Sequence, residues 1–183
     1  MNTANRVTLI RIALIPVFLF FFLTDFIPYS NYIAVAVFLL AALTDSVDGH
    51  IARKYNQITD FGKFIDPLAD KILVVSALVG MVQFGQISAL AVIIIIAREF
   101  MVTGLRIVAI SSGRVIAAAP SGKLKTVVQI VVIAIVITAQ PWVETTVYLD
   151  IVLECLIWLM VLITVYSGAE YLVKNRALID YRK

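Results

Sequence analysis

Six long apolar stretches, separated by short linkers, leave this chain little choice of fold. They run at about 9–27, 31–53, 61–83, 87–110, 123–140 and 147–173, each near the roughly 20 residues that carry a helix across a bilayer core. Apolar residues make up 62% of the 183, more than a soluble domain with a wetted surface can hold. The runs are continuous rather than alternating, which predicts membrane helices and excludes a β-barrel. The expected architecture is an all-α polytopic membrane protein with six transmembrane helices, in a single domain over residues 1–183. Pro67 lies in the third run, which therefore either starts near it or kinks there.

The first run follows basic residues, as a signal peptide would. It leads into Phe26, Ile27, Pro28 and Tyr29 rather than a small-residue cleavage pattern, and is read as a retained span. Cys155 is the only cysteine, so no internal disulfide forms; its apolar surroundings predict an inert core thiol. The net charge of +3 is modest, and no nucleic-acid partner is expected.

The placement of the charges says more than their sum. Arg6 and Arg11 stand at the head of the first span. Arg53, Lys54 and Lys63 lie between the second and third, and Arg106, Arg114, Lys123 and Lys125 around the junction of the fourth and fifth. Lys174, Arg176, Arg182 and Lys183 follow the sixth. On the other side the charges are Asp25 and Glu144 in the linkers and Asp150 at the start of the sixth span, and the linkers hold no Lys or Arg. The positive-inside rule then puts both termini in the cytoplasm of a multi-pass cell-membrane protein. Tyr29, Tyr32, Trp142 and Tyr148 are expected at the outer interface.

Four aspartates gather on the cytoplasmic side. On a helix, Asp45, Asp48, Gly49 and Ala52 form one stripe, two carboxylates and two small residues. Gly62, Asp66 and Asp70 recur at i, i+4 and i+8 on the next span. Facing stripes would collect four acids at one cavity mouth. Ionisable groups at the edge of a bilayer core are costly and usually functional, and such a cluster calls for countercharge. A pair of divalent cations is the simplest supplier, and hard carboxylate oxygens suit Mg²⁺ or Mn²⁺ rather than Zn²⁺. Paired ions of this kind grip phosphates and serve in-line displacement, and one carboxylate can accept the nucleophile's proton. His50, the only histidine, points away from the aspartate stripe and is read as a bystander.

Written out, the run is D-x2-D-G-x2-A-R-x8-G-x3-D-x3-D, and it resembles the signature of the CDP-alcohol phosphotransferase family at all eight defined positions. Asn5, Thr8, Arg11 and Pro16 resemble that family's N-terminal N-x2-T-x2-R-x4-P element. The resemblance implies a six-helix membrane enzyme that joins a CDP-linked group to an alcohol and releases CMP. It implies Asp45, Asp48, Asp66 and Asp70 as ligands of two metal ions, with Asp70 also the general base. Gly49, Ala52, Arg53 and Gly62 would shape the CDP site, Arg53 on the diphosphate, with Asn5 and Thr8 in the nucleotide pocket. A homodimer is implied as well.

A second cluster bears on the acceptor. Arg98 lies deep in the fourth span, where it must face a cavity or pair internally. Arg106 is about 80° away around the same helix, close enough to face the same pocket. Lys123 and Lys125 arrive from the start of the fifth span. Several cations in one place suit an anionic acceptor, most simply a phosphate. The alternative for Lys123, Lys125 and Arg114 is topology or contact with anionic lipid. The segments Arg98-Glu99-Phe100, Gly104-Leu105-Arg106 and Gly122-Lys123-x-Lys125-Thr126 resemble the family's bacterial phosphatidylglycerophosphate-forming branch. That implies CDP-diacylglycerol as donor and glycerol 3-phosphate as acceptor. Competing readings are another acceptor, an inositol phosphate or a phospholipid, and, in a different class, a cation transporter with intramembrane carboxylates. Acids crowded at one membrane face beside Gly and Arg favour phosphate binding over transport. Glu170 and the stretch from Tyr166 to Tyr171, near the inner end of the sixth span, could line the site, but nothing local shows it.

Overall fold

The computed structural model describes the backbone of residues 3–24, 27–54, 60–111, 119–143 and 145–176, and their side chains except at 3–7, 45–54, 60–67, 70 and 110–111. Six α-helices fill it: α1 (Thr3–Leu23), α2 (Ser30–Lys54), α3 (Asp60–Gln83), α4 (Ala89–Ser111), α5 (Pro120–Ala139) and α6 (Leu149–Lys174). A 3-10 turn, Gln140–Trp142, follows α5, and there is no strand among the described residues. Each apolar run has its helix. α1 begins at Thr3, ahead of the apolar run, because its polar first turns continue the helix outside the apolar stretch. α3 begins at Asp60, so Pro67 lies inside it and does not mark its start.

Local chemistry fixes several ends. α3 stops in a Schellman arrangement: the Gln86 amide donates to the Met81 carbonyl at 2.9 Å and the Gly85 amide to Val82 at 3.0 Å. Gly85 sits at φ +69, where a residue without Cβ is unstrained. Ser88 caps α4, its Oγ accepting from the Ala91 amide at 3.2 Å. Pro120 occupies the first position of α5, where its missing N–H removes no helix bond.

Packing divides the chain into two units. One comprises Met1–Gln86 with Ile133–Trp142, the other Ile87–Val132 with Val143–Lys183. The first holds α1, α2 and α3 around Phe18, Phe22 and Phe38; the Phe18 ring lies 5.4 Å from that of Phe22 and 5.5 Å from that of Phe38. α3 meets α1 at Gly80, where a Cβ would fall 2.6 Å from Phe22 Cε1. In the second unit α4 packs on α6.

The outward faces are those of a protein in lipid. α6 buries Leu153, Ile157, Met160, Thr164, Ser167 and Tyr171 along one stripe. Its other side exposes Ile151, Val152, Trp158, Leu159, Leu162 and Val165. So extensive an apolar surface suits hydrocarbon and not water. Cys155 is exposed on that helix and is not the core thiol expected, since apolar neighbours along a lipid-facing stripe do not imply burial. Among the described residues, Pro120–Trp142 and Leu149–Lys174 are long and apolar enough to cross a bilayer. Thr8–Leu23, Ser30–Thr44 and Lys71–Gln83 are shorter apolar helical stretches. The aromatic group expected at an interface is exposed as a set: Trp142 Nε1 donates to the Tyr32 hydroxyl at 3.0 Å, and the Tyr29 and Tyr32 rings lie 6.2 Å apart.

Candidate active site

Two centres carry charge, one in each unit. In the first, Arg11 of α1 is completely buried, and its Nε donates to Thr44 Oγ1 of α2 at 3.4 Å. Thr44 Oγ1 donates in turn to the Ala41 carbonyl at 2.6 Å. Thr44 immediately precedes Asp45, so a buried arginine ties α1 to the turn of α2 that begins the acidic run. Thr8, one turn before Arg11, is buried too. Asp45 and Asp48 belong to α2, Asp66 and Asp70 to α3, and α2 packs against α3. The side chains of these four acids lie outside the described residues, as do those of Asn5, Gly49, His50, Ala52, Arg53 and Gly62. What the backbone supplies is the register: acids at i, i+3 on one helix and i, i+4 on its neighbour. An all-carboxylate donor set in that register fits a hard divalent cation.

The second centre is described atom by atom. Arg98 of α4 and Lys125 of α5 are 8% and 4% exposed, and both grip Glu99. Arg98 Nη1 donates to Glu99 Oε1 at 2.8 Å, and Lys125 Nζ donates to the same oxygen at 2.6 Å. Arg98 Nη2 donates to Ser167 Oγ of α6 at 2.7 Å. Three helices of this unit are thus joined through polar side chains. Burial of this kind requires partners, because an unpaired charge away from water is strongly penalised. The buried Arg98 Nε has no hydrogen-bond partner among the described residues. The same is true of Gln129 Nε2, one turn beyond Lys125, and of the Tyr171 hydroxyl, one turn beyond Ser167.

The four cations expected together are therefore sorted. Arg98 and Lys125 meet at Glu99, whereas Arg106 and Lys123 are exposed and neither joins that cluster. The helical angle between Arg98 and Arg106 permits a common direction, but a side chain two turns nearer the helix end reaches solvent first. Glu170 pairs with Lys174 at the end of α6.

A family model described as CDP-alcohol phosphatidyltransferase matches residues 1–166. The chain belongs to that family. Among curated relatives, a CDP-diacylglycerol–glycerol-3-phosphate 3-phosphatidyltransferase of Bacillus subtilis (strain 168) is 44% identical over 95% of both chains. One of the same name from Rickettsia bellii is 34% identical over 93% of both. A probable phosphatidylglycerophosphate synthase of Mycobacterium tuberculosis (strain H37Rv) is 38% identical over 94% of this chain and 81% of its own. The family match covers the acidic run, Arg98 and Lys125, and ends one residue before Ser167.

Thr44 was not singled out in the sequence; Glu99 stood there as a possible partner of Arg98 but not as an acceptor shared with Lys125, and Ser167 only as part of the stretch from Tyr166 to Tyr171, without a role of its own. The Ser167-Gly168 pair carried a readable signal, since small residues in an apolar helix mark close helix approach. Thr44 carried none beyond its place beside Asp45.

Proposed function

We propose that this CDP-alcohol phosphatidyltransferase moves the phosphatidyl group of CDP-diacylglycerol to sn-glycerol 3-phosphate, giving phosphatidylglycerophosphate and CMP. The relatives' names support the substrates, and the observation that carries the acceptor is Arg98. A buried guanidinium that keeps an unpartnered N–H after pairing with Glu99 and Ser167 is a ready donor to an oxyanion. Lys125 adds a second buried cation, and Arg106 and Lys123 add exposed charge that draws an anion in.

On the donor side, Asp45, Asp48, Asp66 and Asp70 would hold two divalent ions, Mg²⁺ or Mn²⁺. When bound, such ions neutralise the diphosphate and stabilise both the attacking and the departing oxygen. Arg53 holds the diphosphate, Gly49, Ala52 and Gly62 give the CDP group room, and Asn5 and Thr8 border the nucleotide. Asp70 takes the proton from the acceptor's 1-hydroxyl. The oxygen attacks the phosphorus that bears diacylglycerol, a new P–O bond forms, and the bond to CMP breaks with its electron pair leaving on CMP. The proton passes from Asp70 to solvent.

The proposed setting is a single domain, residues 1–183, with six spans in the cell membrane. Both termini and the active site are cytoplasmic, as the one-sided distribution of Lys and Arg supports, and the enzyme works as a homodimer. Lipid tails then enter from the bilayer while the nucleotide stays at the aqueous mouth. The deciding experiment gives purified protein CDP-diacylglycerol, Mg²⁺ and a panel of acceptors: glycerol 3-phosphate, glycerol, inositol phosphate and a phospholipid. CMP release is the readout. Glycerol 3-phosphate should lead the panel by a wide margin; a better acceptor would replace it in the reading, and no CMP from any acceptor would reject the enzyme.

A further inference from the structure

The structure assigns to α6 a part in acceptor binding: Ser167 and Gly168 are positioning residues that seat the Arg98 guanidinium, an inference that rests on the acceptor reading above. A long cationic side chain in an apolar span tends to bend towards water. Keeping it inside takes contacts along its length, and α6 supplies two of them. At the tip, Ser167 Oγ accepts from Arg98 Nη2 at 2.7 Å. Along the stem, Gly168 leaves open the space a side chain would fill. A Cβ there would lie 2.8 Å from Arg98 Cγ, 3.6 Å from Nε and 3.8 Å from Cδ. The first distance is shorter than a Cβ can tolerate, and Cγ is too near the backbone to move without carrying the guanidinium with it.

Gly168 lies inside a helix, where glycine is a poor choice for the backbone. Its place is explained by the arginine that rests on it. Nη1 held by Glu99 and Nη2 by Ser167 fix the orientation of the guanidinium, and its buried Nε has no partner among the described residues. Charge-assisted hydrogen bonds to a phosphate are directional, so a guanidinium pushed off its seat loses the acceptor while the donor half of the enzyme is untouched.

The test uses full-length enzyme with Mg²⁺ and both substrates. Gly168→Ala should raise KM for glycerol 3-phosphate by about 10-fold or more, and Ser167→Ala by about 3- to 10-fold. KM for CDP-diacylglycerol should stay within about twofold, with kcat at saturating acceptor largely kept. A second readout is independent of turnover. Gly168→Ala should lower the melting temperature of the wild-type chain but not of an Arg98→Ala chain, because the clash is with the arginine stem. If Gly168→Ala does not yield folded protein, Ser167→Ala, which adds no volume, decides the matter. Unchanged KM for glycerol 3-phosphate in the folded variants, or equal rises for both substrates, overturns the positioning role. If Arg98→Ala itself leaves that KM unchanged, the acceptor reading falls and this role with it. If Arg98→Ala raises it and the α6 variants do not, only the α6 role is lost.

Discussion

The two charged centres solve opposite problems. The α2–α3 pair carries four acids in a short stretch of sequence, with Arg53 the basic residue of the same motif. The α4–α5–α6 centre mixes signs, and its two buried cations share one carboxylate through hydrogen bonds of 2.6 and 2.8 Å. A cluster of one sign needs countercharge from outside, which the proposed metal ions and diphosphate would supply. A mixed cluster is largely completed from within, and a ligand meets cations whose geometry is already set by Glu99 and Ser167. The first should therefore depend absolutely on an added ion. The second should depend on geometry and respond to single side chains in graded steps.

The sharpest break in that contrast is metal removal. A chelator should abolish turnover, and Mg²⁺ or Mn²⁺ should restore it, while the melting temperature of the α4–α6 variants stays indifferent to the ion. Full activity in metal-free buffer would end the two-metal proposal. Next in size is Asp70→Asn. If Asp70 is the base, kcat should fall by about 10²–10⁴-fold, and more if a metal ligand is lost with it. Three acids remain to hold metal, so CDP-diacylglycerol binding should survive in large part. A variant within a few-fold of wild type would remove Asp70 from the role.

The fold was open to reading because continuous apolar runs of this length favour helices, and each of the six contains one. The acidic motif was legible because its spacing is helical and its charge is extreme. The internal partners were not. That Glu99 serves two cations depends on where α5 lies against α4, which no local pattern encodes. Arg106 and Arg98 look alike as letters and angles, and only depth separates the exposed one from the buried one. Cys155 shows the same limit from the other side. In a membrane helix an apolar neighbourhood is as common on the lipid face as in the core, so hydropathy could not say which way the thiol pointed.

Single side chains in the mixed-sign centre come third. Losing one charge-assisted contact costs about 1.5–3 kcal/mol, or about 10–150-fold in affinity. Arg98→Ala should raise KM for glycerol 3-phosphate within that range and leave KM for CDP-diacylglycerol nearly unchanged. Arg53→Ala should show the reverse bias, because its proposed partner is the donor's diphosphate. Steady-state kinetics with each substrate varied in turn distinguishes the two. If both variants weaken both substrates alike, the division into a donor centre and an acceptor centre is lost.

The smallest effect belongs to the exposed cations, and it separates steering from contact. Arg106 and Lys123 face solvent, so water and salt screen whatever they contribute. Exposed charge pairs are worth about 0–1 kcal/mol, which sets Arg106→Ala at about fivefold or less in KM for glycerol 3-phosphate. That penalty should shrink as ionic strength rises, whereas the penalty of Arg98→Ala should largely persist, because Arg98 is mostly buried and less screened by salt. Glycerol supplies the control. It has no phosphate, should be a very poor substrate for wild type, and should be almost indifferent to Arg106→Ala. A salt-resistant loss of 10-fold or more would make Arg106 a direct phosphate ligand and bring it into the buried centre's role. Equal losses for glycerol and glycerol 3-phosphate would instead make it structural, leaving Arg98 and Lys125 to carry the recognition of the anion.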